Sequence, residues 1–287
     1  MIPGSFTYHR PASVSEAVQL LARLGEDARP LAGGHSLIPM MKLRLAQPEH
    51  LVDLGRIAGL KGIRQDRTDV VIGAMTTQAE IIDSALLAEK APILIEAAKV
   101  IADPQVRSVG TIGGNIANGD PGNDMPGVMQ CLDARYVLAG PNGTRQVAAR
   151  DFYEAAFFTK LAPGEILTEL RFVAPAAGHG WAYEKLKRKV GDYAVAAAAV
   201  TLTLAGRNCT GASIALTNVA QTPLQALDAA KALIGSSLDK TAIDAAAKAA
   251  MAISDPTADT RGPKEYRRSV LGVMVRRAIE RAKSRAR

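Results

Sequence analysis

Apolar and polar positions along this chain change their period several times, and each change marks an element. Val14, Val18, Leu21 and Leu24 recur at helical spacing behind Ser13-x-x-Glu16, a capping box, so a helix is predicted that runs out at Gly25. Pro30-Leu31-Ala32 leads into Gly33-Gly34, SLIPMMKLR reads as a short helix, and Leu51-Val52-Asp53-Leu54 as a strand. Residues 1 to about 58 therefore read as a small helix-and-strand unit with a glycine loop at its centre. Gly62-Ile63 and Val70-Val71-Ile72 flank the polar turn DRTD as a hairpin, Thr77-x-x-Glu80 opens another helix, and Pro92 through Ala102 gives a third. Asn142-Gly143 between Arg135–Ala139 and Arg145–Ala148 is a second hairpin signal.

One stretch carries no clear period. From Gly110 to Pro126 the chain has five glycines and reads as a long loop, a feature uncommon in compact domains unless it is functional. The texture changes again near Pro175–Gly180, which marks a domain boundary. Beyond it, Val200-Thr201-Leu202-Thr203-Leu204 alternates as a half-buried strand, and two Ala-rich helical stretches follow at about 224–234 and 240–253. A final helix puts Leu271, Met274, Val275, Ala278, Ile279 and Ala282 on one face and Arg276, Arg277, Arg281 and Arg285 largely off it.

Composition narrows the classes. With 287 residues, 48% apolar and 22% charged, the chain is globular rather than disordered. Its net charge of +7 is concentrated at Lys185, Lys187, Arg188 and Lys189 and from Arg267 to Arg287. Nucleic-acid binding would call for aromatics among these basic residues and a reading motif, and neither is present; solvated helix faces and subunit contacts are expected instead. Cys131 and Cys209 stand far apart without CxxC or Cys/His metal spacing, so no metal site and a reducing compartment are expected. The N-terminal MIPGSFTYHRPAS has no apolar core of signal-peptide length, and the apolar run Tyr193–Gly206 is too short for a bilayer, so the expected location is cytoplasmic.

The chemistry lies in AGGHS at 32–36 and TIGGN at 111–115. A glycine pair opens conformations closed to other residues and removes side chains that would hold a ligand away. Successive N–H groups in such loops can form an anion-binding nest, and two nests brought together would suit a diphosphate. Ser36, Thr111 and Asn115 add polar side chains; GxGxxG and GxxxxGK[ST] are absent. His35 reads either as a base or as a hydrogen bonder that positions the loop, with the second favoured. No nucleophile–base pair or triad is present, and no catalytic side chain is assigned.

AGGHSLIPMMKLR followed by PEHLVDL, then VRSVGTIGGNIANGDPGNDMP, FFTKLAPGEILTELRF, YEKLKRKVGDYA and DTRGPKEYRR, closely resembles the flavin subunits of the molybdenum hydroxylases over nearly the whole chain. Within that family it is most similar to the carbon monoxide dehydrogenase branch. The resemblance implies an α+β fold of the vanillyl-alcohol oxidase/PCMH type in two FAD-binding subdomains (about 1–58 and 59–177), followed by a smaller α+β domain over 178–287. It implies that Ala32, Gly33, Gly34, His35 and Ser36 hold the FAD pyrophosphate with Thr111, Ile112, Gly113, Gly114 and Asn115. It places Asp124 near the ribityl or ribose hydroxyls, Leu167 beside the adenine half and Tyr193 against the isoalloxazine ring, with Lys185 balancing the charge of reduced flavin. On the residues alone, Asp124 reads equally well as a helix cap, Leu167 as core, Tyr193 as a strand aromatic and Lys185 as a solvated charge.

Two cysteines cannot ligate a Cys₄-type [2Fe-2S] cluster. The resemblance accordingly implies a large subunit with a molybdopterin-type molybdenum cofactor and a small subunit with [2Fe-2S] clusters, as a dimer of heterotrimers. Electrons would leave through this FAD to an external acceptor, a quinone in the carbon monoxide branch, with peripheral contact at the inner face of the cytoplasmic membrane. A medium subunit serving an aldehyde, N-heterocycle or aromatic acyl-CoA, a stand-alone FAD oxidase, and a basic binding module without flavin are the alternatives.

Overall fold

The computed structural model describes residues 2–287, and its first unit forms around the capped helix. β1 (Thr7–His9) leads to α1 (Val14–Leu24), where Ser13 Oγ accepts from the Glu16 N–H at 3.1 Å and the Glu16 carboxylate accepts from the Ala12 N–H at 2.8 Å. β2 (Ala28–Leu31), α2 (Leu37–Lys42) and β3 (His50–Asp53) follow. β3 is the central strand, parallel to β1 on one side and β2 on the other. Parallel neighbours need crossovers, and α1 and α2 provide helices within them. Ala17, Val18 and Leu21 of α1 bury against Ala28, Val52, Leu54 and Leu60.

β4 (Ile63–Asp66) and β5 (Asp69–Gly73) form the expected hairpin. Four short helices then follow: α3 (Gln78–Ile82), α4 (Ala85–Lys90), α5 (Pro92–Val100) and α6 (Pro104–Val109). Thr77 and Glu80 complete a reciprocal capping box on α3, Ser84 caps α4, Asp103 caps α6, and proline stands at the start of α5 and α6. The region Gly110–Pro126 is not the single loop its composition suggests. Thr111 Oγ1 accepts from the Gly114 N–H at 3.0 Å and starts α7 (Ile112–Ala117), and α8 (Asp124–Cys131) begins before the region ends. Six residues complete fewer than two turns, so α7 is too short for its apolar period to be read.

β6 (Arg135–Gly140) and β7 (Gly143–Ala148) pair across Asn142-Gly143, and β8 (Tyr153–Ala155) and β9 (Phe158–Thr159) make a separate ribbon. β10 (Ile166–Val173) inserts between β5 and β6, giving the antiparallel order β4-β5-β10-β6-β7. The remaining strands, β11 (Gly180–Leu186), β12 (Ala196–Ala205), β13 (Asn208–Thr217) and β14 (Leu224–Gln225), form a four-stranded antiparallel sheet in chain order. Its helices are α9 (Leu227–Lys231), α10 (Lys240–Ala252) and α11 (Lys264–Arg285). α9 is shorter than the expected 224–234 helix because Leu224 and Gln225 pair with β13.

β12 shows why alanine is abundant. Ala197 and Ala199 belong to the core shared with Leu94, Met125 and Val128, whereas Ala196, Ala198, Val200 and Leu202 face Leu271, Met274 and Ile279 of α11. The strand starts earlier than its alternating part and is buried on both faces there, where methyl side chains let elements approach from either side. The six apolar residues predicted to share a face of α11 are all buried. Among the described residues no helix is long and apolar enough to cross a membrane.

Glu96 of α5 ties the two sheets' surroundings together. Its carboxylate accepts from the Tyr183 N–H of β11 at 2.8 Å and pairs with Arg281 at 3.1 Å and Arg285 at 3.0 Å, both on α11. The ion pairs are partly wet and contribute little each; the buried Tyr183 N–H has no comparable substitute. Glu96→Ala is expected to destabilise the chain by about 1–3 kcal/mol, read from chemical denaturation, because that donor is orphaned.

Candidate functional site

The β2–α2 loop and the turn into α7 come together through contacts that only glycine permits. A Cβ on Gly33 would lie 2.5 Å from the Val109 carbonyl oxygen and 2.8 Å from Gly110 Cα, and one on Gly114 would lie 3.3 Å from Ala32 Cβ. Gly34 adopts φ +73°, where a side chain is strained. The two glycine pairs thus converge as expected, but they offer different things. The N–H groups of Gly33, Gly34, His35, Ser36 and Leu37 have no acceptor among the described residues, and the first helical bond of this segment is Ile38 N–H to Gly34 O at 2.9 Å. In the second segment every amide from 112 to 115 is already engaged: Ile112 to Thr76 O (2.9 Å), Gly113 to Ala74 O (2.8 Å), Gly114 to Thr111 Oγ1 (3.0 Å) and Asn115 to Thr111 O (3.1 Å).

One of the two segments therefore keeps its amides free and the other is a buttress. The 33–37 segment presents a row of free donors suited to an anion. The 111–115 turn supports it: a Cβ on Gly113 would fall 2.5 Å from Ala74, so this glycine serves close backbone packing.

Between these segments lies a cavity of about 470 Å³, within the range of small-molecule sites. Every residue singled out in the sequence lines it except Ile112, whose side chain is fully buried in the adjoining core. The His35 ring is exposed and makes no hydrogen bond to any described residue, so the structure gives it neither a base's partner nor the expected positioning bond. Asn115 Oδ1 accepts from the Met125 N–H at 3.2 Å, which fixes its amide against α8.

At one end of the cavity Asp124 and Lys185 meet. Their carboxylate and ammonium groups lie 2.7 Å apart with side chains only 5% and 2% exposed. Tyr183 donates its hydroxyl to the other Asp124 oxygen, and burial, reinforced by the Asp124 charge, holds that phenol well above its ordinary range, so it remains a donor. Asp124 is not a helix cap: Asn123 occupies that position. Lys185 is not a solvated charge but half of a buried pair whose separation would leave an uncompensated ion. Lys185 and Lys187 also reach the Val100 carbonyl oxygen at 3.4 and 3.3 Å, and burial with the Lys185 charge lowers the Lys187 ammonium.

Tyr193 stands nearby in the turn after β11, partly exposed, with the Arg261 guanidinium 5.6 Å from its ring centroid. Burial and the Asp120 carboxylate push its hydroxyl up to about 12. Leu167 lies on another wall, on β10 beside a bulge that shifts the strand's register between Leu167 and Glu169. Sequence reasoning missed Arg29, Gln78, Ile101 and Ala102, which also line the cavity. None belongs to a motif, and Gln78 becomes visible only because its buried carboxamide has no partner.

Residues 4–174 match the family described as the FAD binding domain in molybdopterin dehydrogenase, and residues 181–282 match the CO dehydrogenase flavoprotein C-terminal domain. The chain is 65% identical to the carbon monoxide dehydrogenase medium chain of Afipia carboxidovorans over 100% of this chain and 99% of that one. It is 52% identical to the corresponding chain of Hydrogenophaga pseudoflava, covering 99% of each. Among solved structures, a chain of a cyanide-inactivated Cu,Mo-CO dehydrogenase superposes with a TM-score of 0.99 at 65% identity, over 100% of both chains.

The contact between the loops yields a direct test. Gly33→Ala is expected to force them apart, costing about 1–3 kcal/mol in thermal or denaturant unfolding and weakening ligand binding in the cavity. Gly59→Ala, where an added Cβ meets nothing within 4 Å, is the matched control and is expected to leave both unchanged.

Proposed function

The chain belongs to the FAD-binding medium-chain family of the molybdopterin dehydrogenases, and on that premise we propose that it is the electron-transfer subunit of an aerobic carbon monoxide dehydrogenase. The single observation that carries the cofactor assignment is the row of unpaired amides at Gly33–Leu37, opening on a cavity wide enough for an extended ligand. Such a donor row fits a diphosphate, whose oxygens accept and never donate. Bound FAD supplies the redox chemistry, taking up electrons and passing them on.

The residues have separable roles in this reading. The amides of Gly33, Gly34, His35 and Ser36 hold the diphosphate; Thr111 Oγ1 orders the α7 turn behind them, with Gly113 and Gly114 allowing the approach. Ala32 closes against Gly114, Ile112 anchors the turn in the core, and Asn115 presents its remaining amide hydrogens beside the loop. Leu167 offers an apolar wall to the adenine half. Tyr193 packs on the isoalloxazine, Asp124 accepts from sugar-chain hydroxyls, and Lys185 keeps a positive charge near the ring when negative charge arrives. The division of labour runs through residues 1–177 as the FAD-binding domain, in subdomains of about 1–58 and 59–177, and 178–287 as the domain that closes the site with Lys185 and Tyr193.

No metal-ligating cluster of His, Cys, Asp or Glu occurs among the described residues. On the likeness to carbon monoxide dehydrogenase medium chains, the reading assigns substrate oxidation to a large molybdenum-containing partner and electron relay to a small [2Fe-2S] partner, assembled as a dimer of heterotrimers in the cytoplasm. The outward acceptor is a quinone at the inner face of the cytoplasmic membrane. Purification from the native source is expected to yield this chain with two partners in equal amount, carrying FAD, iron and molybdenum, and to reduce a quinone analogue with carbon monoxide. A colourless chain purified without partners would contradict the assignment. An intact flavoprotein complex driven by an aldehyde or N-heterocycle instead would contradict only the carbon monoxide branch.

A further inference from the structure

Gln78 lines the cavity, is 2% exposed, and neither Nε2 nor Oε1 of its carboxamide has a hydrogen-bond partner among the described residues. Buried polar groups are normally paired, and those that are not call for an occupant or a reason. The backbone around it is pinned. Gln78 N–H donates to Gly110 O at 2.9 Å, and the preceding Thr77 closes the capping box of α3. α3 packs on α5 and α6, so Gln78 belongs to the wall that also carries Ile101, Ala102 and Val106. Val100, at the edge of that wall, receives Lys185 through its carbonyl oxygen. The wall formed by Ile166 and Leu167 belongs to β10 instead.

The state of the two atoms restricts what they can meet. A diphosphate offers only acceptors, so it could engage Nε2 and would leave Oε1 orphaned. An occupant that satisfies both must place a donor beside an acceptor. The pyrimidine edge of an isoalloxazine does so, with an N–H flanked by carbonyl oxygens, and Lys185, which the FAD reading sets near the ring, reaches the carbonyl oxygen of Val100, next in the chain to the cavity-lining Ile101. We propose that Gln78 pairs with that edge through both carboxamide atoms and orients the ring; the inference rests on the FAD reading above.

The test uses the assembled enzyme stripped of its flavin and titrated with FAD, FMN or ADP. Gln78→Leu is expected to weaken FAD and FMN alike by about tenfold or more while leaving ADP unchanged. Because Gln78 loses no bond within the chain, the ligand-free variant is expected to melt no lower than wild type. Gln78→Met repeats the readout should the branched side chain prevent folding. Unchanged FAD and FMN binding in a folded variant would overturn the proposal. So would a loss for FAD and ADP that spares FMN, which would place the contact at the adenine, or a lower ligand-free melting temperature with equal losses for all three ligands. Wild-type enzyme that takes up no FAD would instead sink the cofactor reading itself.

Discussion

A backbone N–H removed from secondary structure must find an acceptor, and five consecutive ones at Gly33–Leu37 find none within the described chain. The surrounding architecture holds this segment in that state. β2 delivers the chain to the loop, α2 carries it away, and the positive φ of Gly34 turns the backbone between them. Behind the loop, Val109 and Gly110 stand so close that residue 33 can carry no side chain. The α7 turn keeps its own amides bonded to Thr76, Ala74 and Thr111, and so can brace the loop without competing for its ligand. A preformed donor row needs little reorganisation when an anion arrives.

The opposite end of the cavity is governed by electrostatics. Asp124 comes from α8 and Lys185 from β11, so the buried pair joins the helical region of the first 174 residues to the C-terminal sheet. Tyr183 satisfies the second carboxylate oxygen, and Glu96 takes the Tyr183 N–H, which links the pair to the ion network on α11. Buried pairs are weak devices for stability but good ones for fixing geometry, since either partner alone would be costly. The lysine charge is thereby held at the cavity in a defined place.

Much of this was legible in the residues. The glycine pairs, the Ser13 cap of α1, the capping box at Thr77, the Asn142-Gly143 hairpin and the apolar face of α11 each follow from local rules, although Glu16 bonds the Ala12 N–H and so does not complete the box expected at Ser13. The α7 helix was not, because six residues containing two glycines carry no readable period. Nor was the inequality of the two glycine pairs: whether an amide is free depends on Thr76 and Ala74, which lie more than 30 positions upstream of α7's first turn and reach it only through the fold. Asp124 and Lys185 were recognised singly, through resemblance, but their pairing across 61 positions is a tertiary fact. Gln78 lies in no motif; its significance comes from what does not surround it.

Amide hydrogen exchange at single-residue resolution, on the assembled enzyme with and without FAD, tests the central claim most directly. Gly33 to Leu37 are expected to exchange freely when flavin is absent and to become protected when it binds, while Ile112 to Asn115 stay protected in both states. Binding of FAD with no change in exchange at 33–37 would contradict the account.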